Sequence, residues 1–517
     1  AGYFTSNNSK QDYQFKTPKD VWDESGRKAH WRNRKDKKRP FFSVFNFTGC
    51  HESGIASAGK YQTVTEDLKP SQRQDPAKLT TFPPYYPETP AAREDWKRNY
   101  ELITAMDAWA GNLIEQLKED GLYENTIIFF WSDHGVGLPR GKRWLYDSGT
   151  HIPMIARIPE KLRVGNQGKP GLRTKELVSS IDFGPTVLNL AGIDVPKHVQ
   201  GRAFLGEDLT NPRDFVFGAR DRMDERYDII RMVRDKRFKY IRNYEPLKTF
   251  YQYMNTPEKG ATMRDLRSLH DAGKLARIPN MFFAPNKPVE ELYDCDQDPH
   301  ELNNLAADPK FSTQLKRMRA EHLAWVKRTK DLGLIAEPII IEREKKIGHR
   351  YGILRQGNGD AVSKRVADIA AQASAGENAL PKLVTALSDE DAAVRFWAAT
   401  GIGNIGKPAR SAKGQVAALL KDDSSVVRTA AARALARMGA AKPALEVLKH
   451  ELKTGEQWER LHAAIVLDEM DEQARPAVKA MHEALVPRQK LYANGKYTVR
   501  VINRALNQLE RTKRSVR

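Results

Sequence analysis

The sequence predicts an α/β domain with a largely parallel sheet, then a small α+β unit, then an all-α solenoid. Three observations predict it. Over the first 195 residues, apolar strand-like runs alternate with helical spacing, the texture of strands joined by covering helices. From about Pro196 to Pro338, short strands are joined by charged turns and followed by a helix. The last 150 residues or so repeat a helical motif.

In chain order, Phe41 to Phe47 reads as a β-rich run after a basic stretch that ends in proline. Between Tyr100 and Glu119, Leu102, Ile103, Met106, Trp109, Leu113, Ile114 and Leu117 fall on one helical face, and Gly121 stops the helix. Thr126 to Trp131 is an apolar strand, Ile152 to Ile158 another, and Phe183 to Leu190 a helix. In the middle unit, Phe215–Phe217, Ile229–Val233 and Phe238–Ile241 are strands, and residues 246–288 form an insertion. In the last part, Leu387 to Arg395 matches Leu420 to Arg428. Arg395 to Arg428 and Gly406 to Gly439 are both 33 apart (428 − 395 and 439 − 406), and Trp458 to Ala464 is a degenerate third copy. Such periodic helix pairs with small residues at their contacts make an α-solenoid. The expected domains are therefore 1–195, 196–345 and 370–517, with the solenoid from about residue 375 folding independently.

Composition bounds the function. Hydrophobic residues are 40% and charged residues 29% of 517, which excludes a wholly disordered or collagen-like chain. No apolar run reaches the ~18 residues that span a bilayer. Two cysteines, Cys50 and Cys295, exclude a disulfide-stapled module. The formal net charge of +19 suits polyanionic partners, and equally an ordinary basic protein. From Arg27 to Arg39 there are eight basic residues and one acid, either a solvated loop or a polyanion contact.

Four patches carry candidate chemistry. Ser132-Asp133-His134-Gly135 directly follows an apolar strand, and ligand sites in α/β sheets gather at strand carboxyl ends. A carboxylate and an imidazole there suit a divalent cation, although a plain turn has the same composition. Gly137 to Gly149 places Arg140, Lys142 and Arg143 on a glycine-punctuated loop able to meet an oxyanion. His51 lies just past the Phe41–Phe47 strand, where a general acid would reach the same cleft. Lys10 and Asp12 follow the short strand near Phe4.

Together these patches resemble the sulfatases of the alkaline-phosphatase superfamily over roughly residues 1–310, with details closest to bacterial heparan N-sulfatase-like sulfatases. Glu291 to Asp294, with Asp298 to Leu305, resembles the usual end of a sulfatase domain, and the repeats resemble HEAT repeats. The resemblance implies an alkaline-phosphatase-like mixed sheet sandwiched by helices. It implies Asp133 and His134 on Ca2+, Lys142 and Lys10 on the sulfate, and His51 assisting departure of the leaving group. Asp12 stands where the family has histidine and is a candidate substrate contact. Arg140, His198, Arg220 and Arg222 are candidate substrate contacts, with surface salt bridges the alternative for the last three.

The implied activity is hydrolysis of sulfate esters or sulfamates on a glycosaminoglycan-type carbohydrate, in a periplasmic or secreted protein. A protein partner for the solenoid is implied too; nucleic acid is not. The rivals are a phosphodiester or phosphonate hydrolase of the superfamily, and a non-catalytic sulfated-glycan binder. One departure stands out: the family's formylglycine is made within Cys/Ser-x-Pro-Ser-Arg, and no such stretch occurs here. The nucleophile and the first-strand aspartates are expected upstream of residue 1. The chain as given is then expected to be inactive, with a sheet edge exposed.

Overall fold

The computed structural model describes residues 2–13, 15–485 and 495–513. The chain divides into two compact units. The first comprises Ala1–Phe82, Glu88–Gly137 and Ile152–Arg213; the second comprises Pro83–Pro87, Leu138–His151 and Asp214–Arg517. The basic, glycine-rich loop of the sequence motif thus belongs to the second unit.

In the first unit, β1 (Phe4–Asn8) lies between β2 (Glu24–Ser25) and β3 (Phe41–Phe45), and both pairings are parallel. Behind β3 come α1 (Glu52–Ala56), α2 (Ala58–Thr65) and the long α3 (Pro90–Glu119). Thr89 caps α3 by accepting from the Ala92 amide, and Pro90 fits its first turn, so the helix starts ten residues before the apolar spacing does. β4 (Ile128–Trp131) pairs with β5 (Met154–Arg157) in antiparallel register, Ile128 opposite Arg157. With two parallel pairings and one antiparallel, the first unit is largely parallel and mixed, as expected; the direction of the β4 pairing was not readable, because an apolar run reads the same whichever way its neighbour runs. Phe42, Trp131 and Ile155 are 37%, 41% and 62% exposed, so these strands show water side chains suited to burial.

The second unit holds a four-stranded antiparallel sheet, β6 (Val216–Met223), β7 (Arg226–Arg234), β8 (Phe238–Asn243) and β9 (Glu290–Asp294), in that order. The pairing of β6 with β7 shifts between Arg220 and Arg222, a bulge that turns one side chain relative to its neighbour. The insertion carries the helix Ala261–Asp271, and the helix Ser312–Thr329 follows the sheet.

The repeats appear as the helices Ala392–Ile405 and Ser425–Arg437 and their partners. The two repeat arginines do the same job. Arg395 donates to the Asp389 and Glu390 carbonyls at 2.9 and 3.0 Å, and Arg428 to those of Asp422 and Asp423 at 2.6 and 3.1 Å. A Cβ on Gly403 would stand 3.1 Å from the Ala434 Cα, so the small residues set how closely successive helices approach.

The core of the solenoid continues into the sheet region. One apolar cluster runs from Tyr227, Ile229 and Tyr244 in the sheet region, through Val326 and Ile339, to Trp397, Leu435 and Leu506. The Trp397 indole donates to the Leu334 carbonyl at 2.6 Å, and Tyr227 stacks on His462 at 4.2 Å. The solenoid therefore shares its core with the sheet region, which the repeat alone did not indicate. The sheet face that its first helices cover looks, in sequence, like an ordinary strand pattern.

Candidate active site

In the first unit the site forms past the carboxyl ends of adjacent parallel strands, where backbone groups and loops converge. β1 ends at Asn8 opposite Phe45 of β3. The Asn46 side-chain amide ties the two ends together, donating to the Asn7 side-chain oxygen at 3.3 Å and the Asn8 carbonyl at 3.2 Å. Lys10 follows β1 and His51 follows β3. Lys10 pairs with Asp12 at 3.0 Å, and both are well exposed, so the pair adds little to stability.

His51 is the N-cap of α1. Its Nδ1 accepts from the Ser53 amide at 3.2 Å and lies 2.9 Å from the Ser53 hydroxyl. Lys60, on α2, donates to that hydroxyl oxygen at 3.0 Å and to the Thr48 carbonyl at 2.9 Å. The hydroxyl proton is then directed at Nδ1, which leaves the neutral imidazole with its proton on Nε2. Burial holds the Lys60 ammonium below the usual lysine range, and the positive charge of Lys10 pushes the same way. No sequence signal marked Lys60. It stands on α2, a different helix from Ser53, beyond the break at Ser57.

Asp133 and His134 sit in the loop after β4. His134 Nδ1 is 2.7 Å from the Gly135 carbonyl, which can only accept, so the proton of the neutral ring lies on Nδ1. Nε2 then presents a lone pair, 3.7 Å from an Asp133 carboxylate oxygen. The Asp133 side chain is 72% exposed. The loop packs against the helix that His51 caps: a Cβ on Gly137 would lie 2.8 Å from the Glu52 Cβ. Asp133 also acts on Cys50, whose thiol is pushed up chiefly by burial and further by that carboxylate. A thiol held protonated is a poor nucleophile. His198 lies exposed in the loop after the helix Phe183–Leu190.

In the second unit the loop Leu138–His151 is locked in place. Arg140 is buried. It donates to the His300 and Glu301 carbonyls at 2.6 Å each and lies over the Tyr146 and Tyr85 rings at 3.7 and 5.0 Å. Trp144 donates to the Phe250 carbonyl at 3.1 Å, and the Tyr146 hydroxyl to Glu291 at 2.9 Å. A Cβ on Gly149 would sit 2.3 Å from the Gly141 carbonyl oxygen, so only glycine lets the loop close on itself. Lys142 is half-buried in this loop. Arg220 is buried over the Trp144 ring at 5.5 Å, 3.9 Å from Asp228. Arg222 bonds Glu337 at 2.7 Å and lies over Trp458 at 4.0 Å.

Asp147, Cys295 and Glu301 bring three potential ligand atoms within 4.8 Å of one another. The Lys239 ammonium already fills that corner, pairing with Asp147 and, at 2.9 Å, with Glu301. Burial and the two carboxylates push the Cys295 thiol up to about 12.

Family models match along the chain: Sulfatase at residues 3–193, N-sulphoglucosamine sulphohydrolase, C-terminal, at 139–265, and HEAT repeats at 380–468. The first two models overlap and together reach from residue 3 to residue 265, ahead of the HEAT match. An ulvan-active sulfatase of Formosa agariphila is 41% identical over 368 residues, covering 66% of this chain and 61% of the relative. Human N-sulphoglucosamine sulphohydrolase is 28% identical over 335 residues, covering 59% and 64%. A structure solved with its substrate D-glucosamine-2-N,6-O-disulfate aligns at TM-score 0.39 and 16% identity, over 63% of this chain and 80% of that one. The chain therefore spans less than two thirds of the length of either sequence relative.

Proposed function

We propose that this chain is the larger part of a sulfatase that hydrolyses sulfate esters or sulfamates on a carbohydrate of the glycosaminoglycan or ulvan type. The observation that carries the reading is the opposed setting of two histidines, one after β3 and one after β4, in segments that meet where Gly137 packs against Glu52. Contacts with the Ser53 amide and hydroxyl put the proton of a neutral His51 ring on Nε2, 3.8 Å from a Glu52 carboxylate oxygen, and the Gly135 carbonyl leaves His134 a lone pair at Nε2 beside the Asp133 carboxylate. The first fits a general acid for a departing alkoxide or amine. The second fits a divalent-cation corner.

A hard oxygen donor and one imidazole supply part of a Ca2+ shell of about 6–8 ligands, so further oxygens must come from elsewhere in the protein. A bound cation would draw negative charge off the sulfate oxygens. Lys10, and Lys142 by family resemblance, would do the same with preplaced ammonium groups. The formylglycine has no fitting residue among the 517, and Cys50 is not a substitute. The nucleophile segment is proposed to lie in sequence outside them, with export to the periplasm or beyond.

Calcium titration calorimetry tests the cation corner in the protein carrying its nucleophile segment. Asp133→Asn is expected to weaken Ca2+ binding at least tenfold. Unchanged affinity removes Asp133 from the site.

A further inference from the structure

The turn Asp224-Glu225 between β6 and β7, with Arg226 at the start of β7, is gripped from two sides. On one side Asp224 accepts from Arg143 Nε at 2.9 Å, and Arg143 adjoins Lys142. Both partners hold left-handed backbone, Asp224 at φ 49° and Arg143 at φ 84°. Non-glycine residues stay there only when their surroundings hold them. On the other side stands the solenoid. Glu225 pairs with Arg500 at 3.1 Å, on the helix Lys496–Glu510, and Arg226 with Asp468 at 2.7 Å, on the helix Gln457–Glu469. Glu225 and Arg226 are almost wholly buried. Arg222 adds a third tie, donating to the Asp224 carbonyl at 3.0 Å while lying over Trp458 and Tyr497.

We propose that the solenoid is a positioning element for the loop that carries Lys142. Its helices Gln457–Glu469 and Lys496–Glu510 fix the Asp224–Arg226 turn, and the turn fixes Arg143. Asp224, Glu225 and Arg226 form this linkage, with Arg222 beside them. Buried charge pairs suit this role because breaking one leaves its partner buried and uncompensated, so the turn has one arrangement rather than several. This rests on reading Lys142 as a sulfate contact, and it assigns Arg222 to the brace.

Hydrogen exchange read by mass spectrometry on the full chain tests the proposal without any activity. In Arg500→Gln, amides of residues 138–151 are expected to exchange about tenfold faster, while the helices Ala392–Ile405 and Ser425–Arg437 keep their protection. Arg500→Lys is expected to stay within about twofold of the parent. Should Arg500→Gln loosen the whole unit, the double swap Glu225→Arg with Arg500→Glu decides: restored protection of residues 138–151 supports the linkage, and a loop still loose overturns it. Unchanged loop exchange in Arg500→Gln also overturns it. A loosened loop alongside full turnover by Lys142→Ala would instead refute the assignment of Lys142.

Discussion

The strand-end loops of the first unit and the loop Leu138–His151 of the second carry the same kinds of residues: lysine, arginine, histidine and aspartate among glycines. The structure treats them oppositely. At the strand ends, His51 and His134 each spend Nδ1 on the backbone or a serine, while Nε2 lies near a carboxylate: 3.8 Å from the buried Glu52 for His51, and 3.7 Å from the mostly exposed Asp133 for His134. In the second loop, Arg140 spends its guanidinium on two carbonyls between tyrosine rings. Tyr146 and Asp147 are tied down as well. Residue type and glycine spacing therefore do not separate chemistry from architecture. How many polar atoms of a side chain are already committed does.

The contrast between Lys142 and Arg140, two residues apart, breaks or sharpens that lesson most strongly. In an active enzyme, Lys142→Ala is expected to lower kcat by about 10²–10³, the scale for one preorganised charge, with little change in unfolding. Arg140→Ala is expected to cost about 3 kcal/mol of stability, since two buried carbonyls lose charged donors. Steady-state kinetics and urea unfolding on both variants check this. The reverse pattern would show that Arg140, and not Lys142, is the catalytic one.

A smaller effect concerns the buried histidines of the second unit. Burial pushes His322 and His462 from 6.5 down to about 3. Between those values the unfolded chain binds a proton that the folded chain refuses, so stability falls as pH drops below 6.5 and is full above it. The slope is about 1.4 kcal/mol per pH unit for each histidine. Urea midpoints from pH 7 to pH 5 should show this decline, and His462→Phe should halve it. A flat profile would mean that these rings reach solvent. The smallest effect is expected at His198, exposed in its loop: His198→Ala should leave stability within about 0.5 kcal/mol. A larger loss in urea unfolding would show a contact that its exposure hides.

Much of this was readable from the chain. The repeat of 33 residues gave the solenoid because Arg395 and Arg428 must occupy equivalent corners. The helix ending at Glu119 followed from its apolar face, but its start depended on the Thr89 cap. What stayed hidden was non-local. The direction in which β4 pairs leaves no mark on an apolar run. Arg140 looked available because Tyr85 lies 55 residues away in sequence (140 − 85). Lys60 carries no motif and matters only because α1 and α2 bring it to Ser53. The shared core of sheet and solenoid was invisible because Tyr227 and Ile229 look like any strand residues.

The central claim is that residues 1–517 hold the cation corner, the proton donor and the sulfate-binding lysines of a sulfatase, but not its nucleophile. The most direct measurement compares sulfate release by two proteins, this chain and a version extended to a Cys/Ser-x-Pro-Ser-Arg segment. Each is coexpressed with the formylglycine-generating enzyme and assayed on an aryl sulfate and on sulfated glucosamine. The expected result is turnover by the extended protein alone. Equal turnover by the two would contradict the account and require a nucleophile within residues 1–517.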